Sequence, residues 1–167
     1  MSVRIFGLLA VLILGVGPAK AQWQDSLVAP RGAYDVLAHQ ERAMDVLLAW
    51  GGLSMGSGAV LTLHGSTVAR GFGIQNLAWG AIDLGIALWA RSDIERKRLE
   101  GYSPEEERES FRRILLINTL LDLLYVAVGV GLIVSGKEHL RGHGIGVTLQ
   151  GSFLLVFDGV NYLIAGG

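Results

Sequence analysis

The chain has 167 residues, of which 51% are hydrophobic and 17% charged, and its mean hydropathy is +0.45. A soluble domain carries about a quarter charged residues, so the composition points to a membrane protein with the lipid bilayer as its first partner. The 14 Lys and Arg against 15 Asp and Glu give a formal charge of -1, which excludes the basic footprint of a nucleic-acid binder. The lack of cysteine removes disulfides, thiolate nucleophiles, iron–sulfur clusters and cysteine-based zinc sites.

In chain order, Arg4 is followed by an apolar run from Ile5 to Val16, by Gly17 and Pro18, and by the small-x-small pattern Ala19-Lys20-Ala21. This reads as a signal peptide over 1–21, cleaved after Ala21, because the run is shorter than the roughly 20 residues a bilayer needs. Pro30 marks a boundary. Four long apolar stretches then predict membrane spans over about 44–63, 72–90, 114–134 and 145–165. The expected fold is all-α, a membrane-spanning four-helix up-and-down bundle.

The first span is rich in small residues, and Gly52 and Gly56 have the small-xxx-small spacing that lets another helix approach closely. We expect these two glycines to serve helix packing, within the chain rather than as a dedicated dimer motif.

Between spans two and three, residues 91–113 hold seven basic and seven acidic side chains. Ser103, Pro104 and Glu106 occupy the places of an N-cap, a first-turn proline and a capping-box acid, while Gly101 suits the end of the preceding helix. The segment therefore reads as a solvated helical hairpin turning near Gly101 to Ser103, against which the extension of span one, Ala33 to Ala43, can pack. Arg96, Lys97 and Arg98 are assigned no ligand. Asp45 reads as an interfacial acid.

Cues to orientation disagree. A cleaved signal peptide puts the extensions, and both mature termini, on the periplasmic side of a bacterial inner membrane. Counting Lys and Arg puts them inside, since nine basic residues lie on that face and only Arg70, Lys137 and Arg141 on the other. The signal peptide is given precedence because it delivers the mature N-terminus directly.

Arg70-Gly71-Phe72-Gly73-Ile74 is echoed by Arg141-Gly142-His143-Gly144-Ile145, offset by 71, while Gln75 and Asp83 recur as Gln150 and Asp158, offset by 75. A duplicated helical hairpin with a four-residue gap is one reading, and shared Arg-Gly punctuation by chance is the other. His139 and His143 are four apart beside Glu138, but Gly142 and Gly144 argue against a continuous helix there. A connecting loop with solvated imidazoles is preferred to a metal site.

The most informative residues are those expensive in lipid: Gln75, Asn76, Asp83, Asn118, Asp122, Gln150, Asp158 and Asn161. Asn76 and Asp83 are seven apart, Asn118 and Asp122 four, Asp158 and Asn161 three, so each pair shares a helix face. Three spans thus turn a polar stripe inward. An aspartate at a helix centre costs roughly 2.5 to 3.5 kcal/mol on insertion scales. A protonated carboxyl donating to an amide oxygen on the next helix is the simplest compensation. Asn76, Asp83, Asn118, Asp122, Gln150, Asp158 and Asn161 form the candidate intramembrane polar cluster, either register-fixing glue at about 0.6 kcal/mol per contact or an ion site.

Gln75 to Leu88 (QNLAWGAIDLGIAL), Ile114 to Tyr125 (ILLINTLLDLLY) and Leu149 to Asp158 (LQGSFLLVFD) resemble the core segments of an uncharacterised bacterial four-helix membrane family, a domain of unknown function. Asn76, Leu84 to Ala87, Asn118, Asp122, Tyr125, Leu149 to Gly151, Phe157 and Asp158 fit that family's pattern, whereas Asp83 stands where the pattern has an asparagine. The resemblance covers nearly all of residues 38–165 and implies a signal-like N-terminus, but no activity.

Two functions compete. The leading one is a non-catalytic interaction or assembly subunit, working as a homo-oligomer or in a larger membrane complex. The alternative is a proton- or ion-coupled small transporter or channel using Asp83, Asp122 and Asp158. An intramembrane aspartyl hydrolase fits less well, because Gly80-Ala81-Ile82-Asp83 departs from the Gly-x-Gly-Asp pattern of such proteases. No nucleotide fingerprint or Ser-His constellation points to an enzyme, and no cofactor or metal is expected.

Overall fold

The computed structural model describes residues 34–167, so the signal-peptide reading of 1–21 and the boundary at Pro30 lie outside the described residues. Four helices follow one another: α1 Val36–His64, α2 Thr67–Glu100, α3 Pro104–Val134 and α4 Glu138–Gly166. Three begin on a side-chain cap. Asp35 accepts from the Ala38 amide at 3.0 Å, Ser66 from the Ala69 amide and Ser103 from the Glu106 amide, which satisfies donors that a helix start leaves unpaired. The α2–α3 turn is made by Gly101 at φ 91° and the α3–α4 turn by Gly136 at φ 72°, a backbone region open to glycine at no steric cost.

Along the bundle α1 packs against α2, α3 against α4, and α2 meets α4 across the centre. Close approach is set by glycines. A Cβ on Gly58 would lie 2.7 Å from the Gly73 carbonyl oxygen, and one on Gly73 would lie 2.8 Å from that of Gly58. In the second hairpin Gly129 and Gly144 meet in the same way. Gly71 touches Gly142 and His143 at the α2–α4 crossing, while Gly80 abuts Gly51 and Met55 just as Gly151 abuts Tyr125 and Val126. Gly58 and Gly129, Gly71 and Gly142, Gly73 and Gly144, and Gly80 and Gly151 are each 71 positions apart. The two hairpins are therefore pseudo-equivalent over this stretch without a gap. That corrects the expected four-residue gap: at the offset of 71 the counterpart of Asp158 is Ala87 and that of Asp122 is Gly51, so the recurrence of Gln75 and Asp83 as Gln150 and Asp158 is not the structural repeat.

Two further expectations change. Gly52 and Gly56 meet nothing within 4 Å, so they do not pack the bundle; helical rotation gives the inward positions to Gly51, Ser54 and Gly58 instead. α4 also runs unbroken from Glu138, with His139 and His143 on the helix rather than in a loop. Gly142 and Gly144 are tolerated there because tight packing on α2 and α3 replaces the stability that glycine withholds.

Polarity is distributed unequally along the bundle. The buried apolar cluster joins the start of α1 (Val36, Leu37, Met44, Leu47) to the end of α2 (Ile94) and the start of α3 (Phe111, Leu115). At the other levels the buried positions are filled by Gly51, Ser54, Asn76, Asp83, Asp122 and Gln150, while Leu53, Val60, Leu120 and Leu163 face outward. The polar residues are inside and the large aliphatics outside, the reverse of a water-soluble bundle. α1, α3 and α4 are long and apolar enough to cross a membrane. α2 falls short of that measure, where four spans were expected, because Gln75, Asn76 and Asp83 dilute its apolar stretch.

Candidate functional site

The inward polar side chains form three levels in a column. At the end shared by the helical extensions, the buried His39 ring lies between Tyr34 and Asn161, with Tyr34 Oη to Nδ1 and Asn161 Oδ1 to Nε2 both at 2.7 Å. The Asn161 amide nitrogen donates to the Phe157 carbonyl at 2.7 Å, which fixes its oxygen toward the ring. Nε2–H is therefore the donor to Asn161, and in the neutral ring Nδ1 accepts from Tyr34.

One helical turn further along α4 lie the carboxyls. Asp83, Asp122 and Asp158 come from α2, α3 and α4 and are 1%, 2% and 5% exposed. Asp158 neighbours Asp122 and the half-buried Asn118, and Asp83 lies near Asp122. Among the described residues no Lys, Arg or His pairs with any of the three. Asp83 Oδ2 and Asp122 Oδ2 are buried without a hydrogen-bond partner. Tyr125 borders Asp122 and meets the buried Trp79 edge to face at 5.0 Å.

About two turns deeper, Gln150 is fully buried and fully used. Its Oε1 accepts from Trp50 Nε1 at 2.7 Å, and its Nε2 donates to Ser54 Oγ and Asn76 Oδ1, each at 3.0 Å. Asn76 in turn donates to Ser57 Oγ. Trp50 is clamped by stacking on Phe153 at 3.9 Å between ring centroids. This level ties α1, α2 and α4 together with every polar atom of the Gln150 amide matched, the requirement for polar groups in a low-dielectric interior.

The seven residues of the expected cluster thus separate into Asn161 at the outer level, Asp83, Asn118, Asp122 and Asp158 in the middle, and Asn76 and Gln150 below. Sequence reasoning missed His39, Trp50, Ser54 and Ser57. His39 was the findable one, since His39, Ala43 and Leu47 share the inward i, i+4 face of α1.

Among the described residues no three acidic or His side chains converge so as to hold a metal ion. The three carboxyls are instead gathered from three different helices into one buried level.

The comparisons with known proteins give a family and no activity. A family of unknown function, DUF6992, matches residues 46–159, a stretch containing the three aspartates and Gln150, and the chain belongs to that family. No curated protein and no solved structure matches the chain.

Proposed function

We propose that this member of a family without an assigned activity is a non-catalytic, multi-pass protein of a bacterial inner membrane that binds and relays protons at Asp83, Asp122 and Asp158. The supporting observation is the contrast between two levels of one column. Gln150 has every donor and acceptor matched, which is what structural glue requires. The carboxyls have two buried oxygens with no partner, a cost that register-fixing alone would not repay. A labile proton supplies the missing donor.

The membrane reading is supported by α1, α3 and α4 being long and apolar enough to span. Only Gly65 and Ser66 separate α1 from α2, so α2 must return across the bilayer if α1 crosses it. Asp83 then costs less than on an isolated span, because it faces other helices. Tyr34, His39 and Asn161 provide hydrogen-bonding groups between the carboxyls and the solvated extensions. A signal peptide would put that end in the periplasm.

The test is proton movement in proteoliposomes carrying a trapped pH indicator. Wild-type protein is expected to dissipate an imposed pH gradient, and Asp122→Asn and Asp158→Asn to abolish this without loss of reconstitution. Equal dissipation by wild type and both variants contradicts the reading.

A second reading, assembly with other subunits or with copies of itself, is favoured by Gly52 and Gly56 lying on an outward face with nothing within 4 Å. It is compatible with the first. Gly52→Leu with Gly56→Leu would reduce oligomer in gentle detergent extracts while leaving the monomer folded; an unchanged oligomer distribution in that double variant removes this support.

A further inference from the structure

Where α3 passes from the charged hairpin into its apolar stretch, a groove of about 480 Å³ opens between α3 and α4, lined by Arg108, Arg112, Arg113, Glu105, Glu109, Leu116 and Tyr162. The carboxyl column makes no use of it. Among the described residues none of these three arginines or two glutamates forms an ion pair. That distinguishes them from Arg91, Arg96, Lys97 and Arg98, all of which are paired.

Two of the guanidiniums are held in place without being neutralised. Arg108 Nε donates to the Ala165 carbonyl at 2.7 Å and its guanidinium lies over Tyr34. Arg112 lies over the Tyr162 ring at 4.9 Å, and its Nε is buried with no partner. Aromatic faces orient a guanidinium while leaving its N–H fork free for an oxyanion.

Chemistry along α3 follows an order. Leu116 and the exposed Leu120 are deepest, Arg112 and Arg113 come next, and Glu109 and Glu105 are outermost. Arg112 and Glu109 are three residues apart, about 4.5 Å along the helix axis, a distance that a two-carbon bridge spans. Apolar, cationic and anionic groups in that order complement acyl chain, phosphate and ammonium.

We propose that this groove binds the headgroup of a phospholipid carrying a primary ammonium, of the phosphatidylethanolamine class. Arg112 and Arg113 hold the phosphate, Glu109 accepts from the ammonium, and the acyl chains follow Leu116 and Leu120. The proposal rests on the membrane reading above but not on the proton site.

The test uses the full chain in nanodiscs containing equal phosphatidylethanolamine, phosphatidylcholine and phosphatidylglycerol, released into the gas phase for native mass spectrometry. Wild type should retain phosphatidylethanolamine in preference to both others. Arg112→Gln and Arg113→Gln should each weaken retention roughly fivefold, the effect of one basic side chain at a lipid surface. Glu109→Gln should remove the preference over phosphatidylcholine while leaving phosphate-dependent retention, and Asp122→Asn should change nothing. Helicity of each variant, read by circular dichroism, separates lost binding from lost fold.

Stronger retention of phosphatidylglycerol overturns the proposal in favour of plain anion attraction. Equal displacement by inorganic phosphate shows a free-phosphate site and also overturns it. Failure of the chain to enter nanodiscs contradicts the membrane reading instead.

Discussion

Gln150 and Asp83 are both buried polar residues facing the bundle interior, yet the structure predicts opposite consequences for removing their polar groups. Gln150→Leu strands Trp50 Nε1, Ser54 Oγ and Asn76 Oδ1 together. At about 0.6 kcal/mol per interhelical contact this should cost about 2 kcal/mol. Asp83→Asn breaks no hydrogen bond to Oδ2, because there is none, and should leave stability within about 1 kcal/mol of wild type. Unfolding by denaturing detergent, followed by Trp fluorescence, measures both; a Gln150 variant as stable as wild type would show that the amide level is not structural glue. The individual polar residues were legible in the sequence because amides and carboxyls stand out within long apolar helices. Their division into levels was not, since it depends on how far each helix is shifted along its neighbour, and no single-helix periodicity contains that offset. Trp50 and Ser54 escaped notice for a related reason: both are ordinary in apolar helices and acquire a role only through Gln150, 100 and 96 positions away.

At the scale of elements, two kinds of contact hold the helices. Within the apolar stretches glycine pairs set the spacing, and Gly58→Leu or Gly129→Leu should separate its hairpin, because either side chain would run into backbone at under 3 Å. Loss of the compact species in size-exclusion chromatography would show it, whereas Gly52→Leu at an open position should not. Outside, charge ties the extensions together. Lys97 bridges Asp93 on its own helix and Glu107 on α3, both at 2.8 Å, Arg98 reaches Glu41 at 2.7 Å, Arg91 pairs with Asp45, and Gln40 donates to Glu107 at 2.8 Å. Partial burial pushes the Asp93 carboxyl up, but hydrogen bonds from Lys97 and Arg96 outweigh this and hold it below the usual carboxylate range. Burial likewise disfavours the charged Lys97 amine, and its two carboxylate partners outweigh that and hold it above the usual lysine range. A depressed carboxyl contributes stability that is present above its unfolded value and lost as pH falls through its folded one; a raised amine contributes stability that is lost as pH rises through its folded value. The thermal midpoint of the hairpin should therefore be level through neutrality and fall in acid. Lys97→Met should lower stability by about 1 kcal/mol at neutral pH and flatten the acid decline; an unaltered acid profile in that variant would contradict the assignment. Punctuation made this region readable, because Gly101, Ser103 and Pro104 each have a local reason to stand where they do. Inward glycines were harder to distinguish from outward ones, since Gly51, Gly52, Gly56 and Gly58 differ only in helical phase.

For the whole molecule, the inversion of polarity is the organising feature: aliphatic residues are buried where charged extensions surround them, and carboxyls and amides are buried where the outer surface is apolar. Composition and four long apolar stretches made the all-helical class legible. The pseudo-twofold relation was visible only in part, because the Arg-Gly echo obeys its offset of 71 whereas the coincidence at 75 competes with it. The lack of native cysteine allows orientation to be read cleanly. With a periplasmic hairpin, Glu105→Cys should react with a membrane-impermeant maleimide in intact cells and Lys137→Cys only after lysis; the opposite pattern would put the extensions inside. The central claim is that Asp83, Asp122 and Asp158 hold an exchangeable proton, and infrared difference spectroscopy of the membrane-reconstituted protein between acidic and alkaline buffer tests it most directly. The account predicts a buried carboxylic C=O band that changes with pH, shifts in deuterated water and is lost in Asp122→Asn and Asp158→Asn. A spectrum with no such band, or one that both variants leave intact, would contradict it.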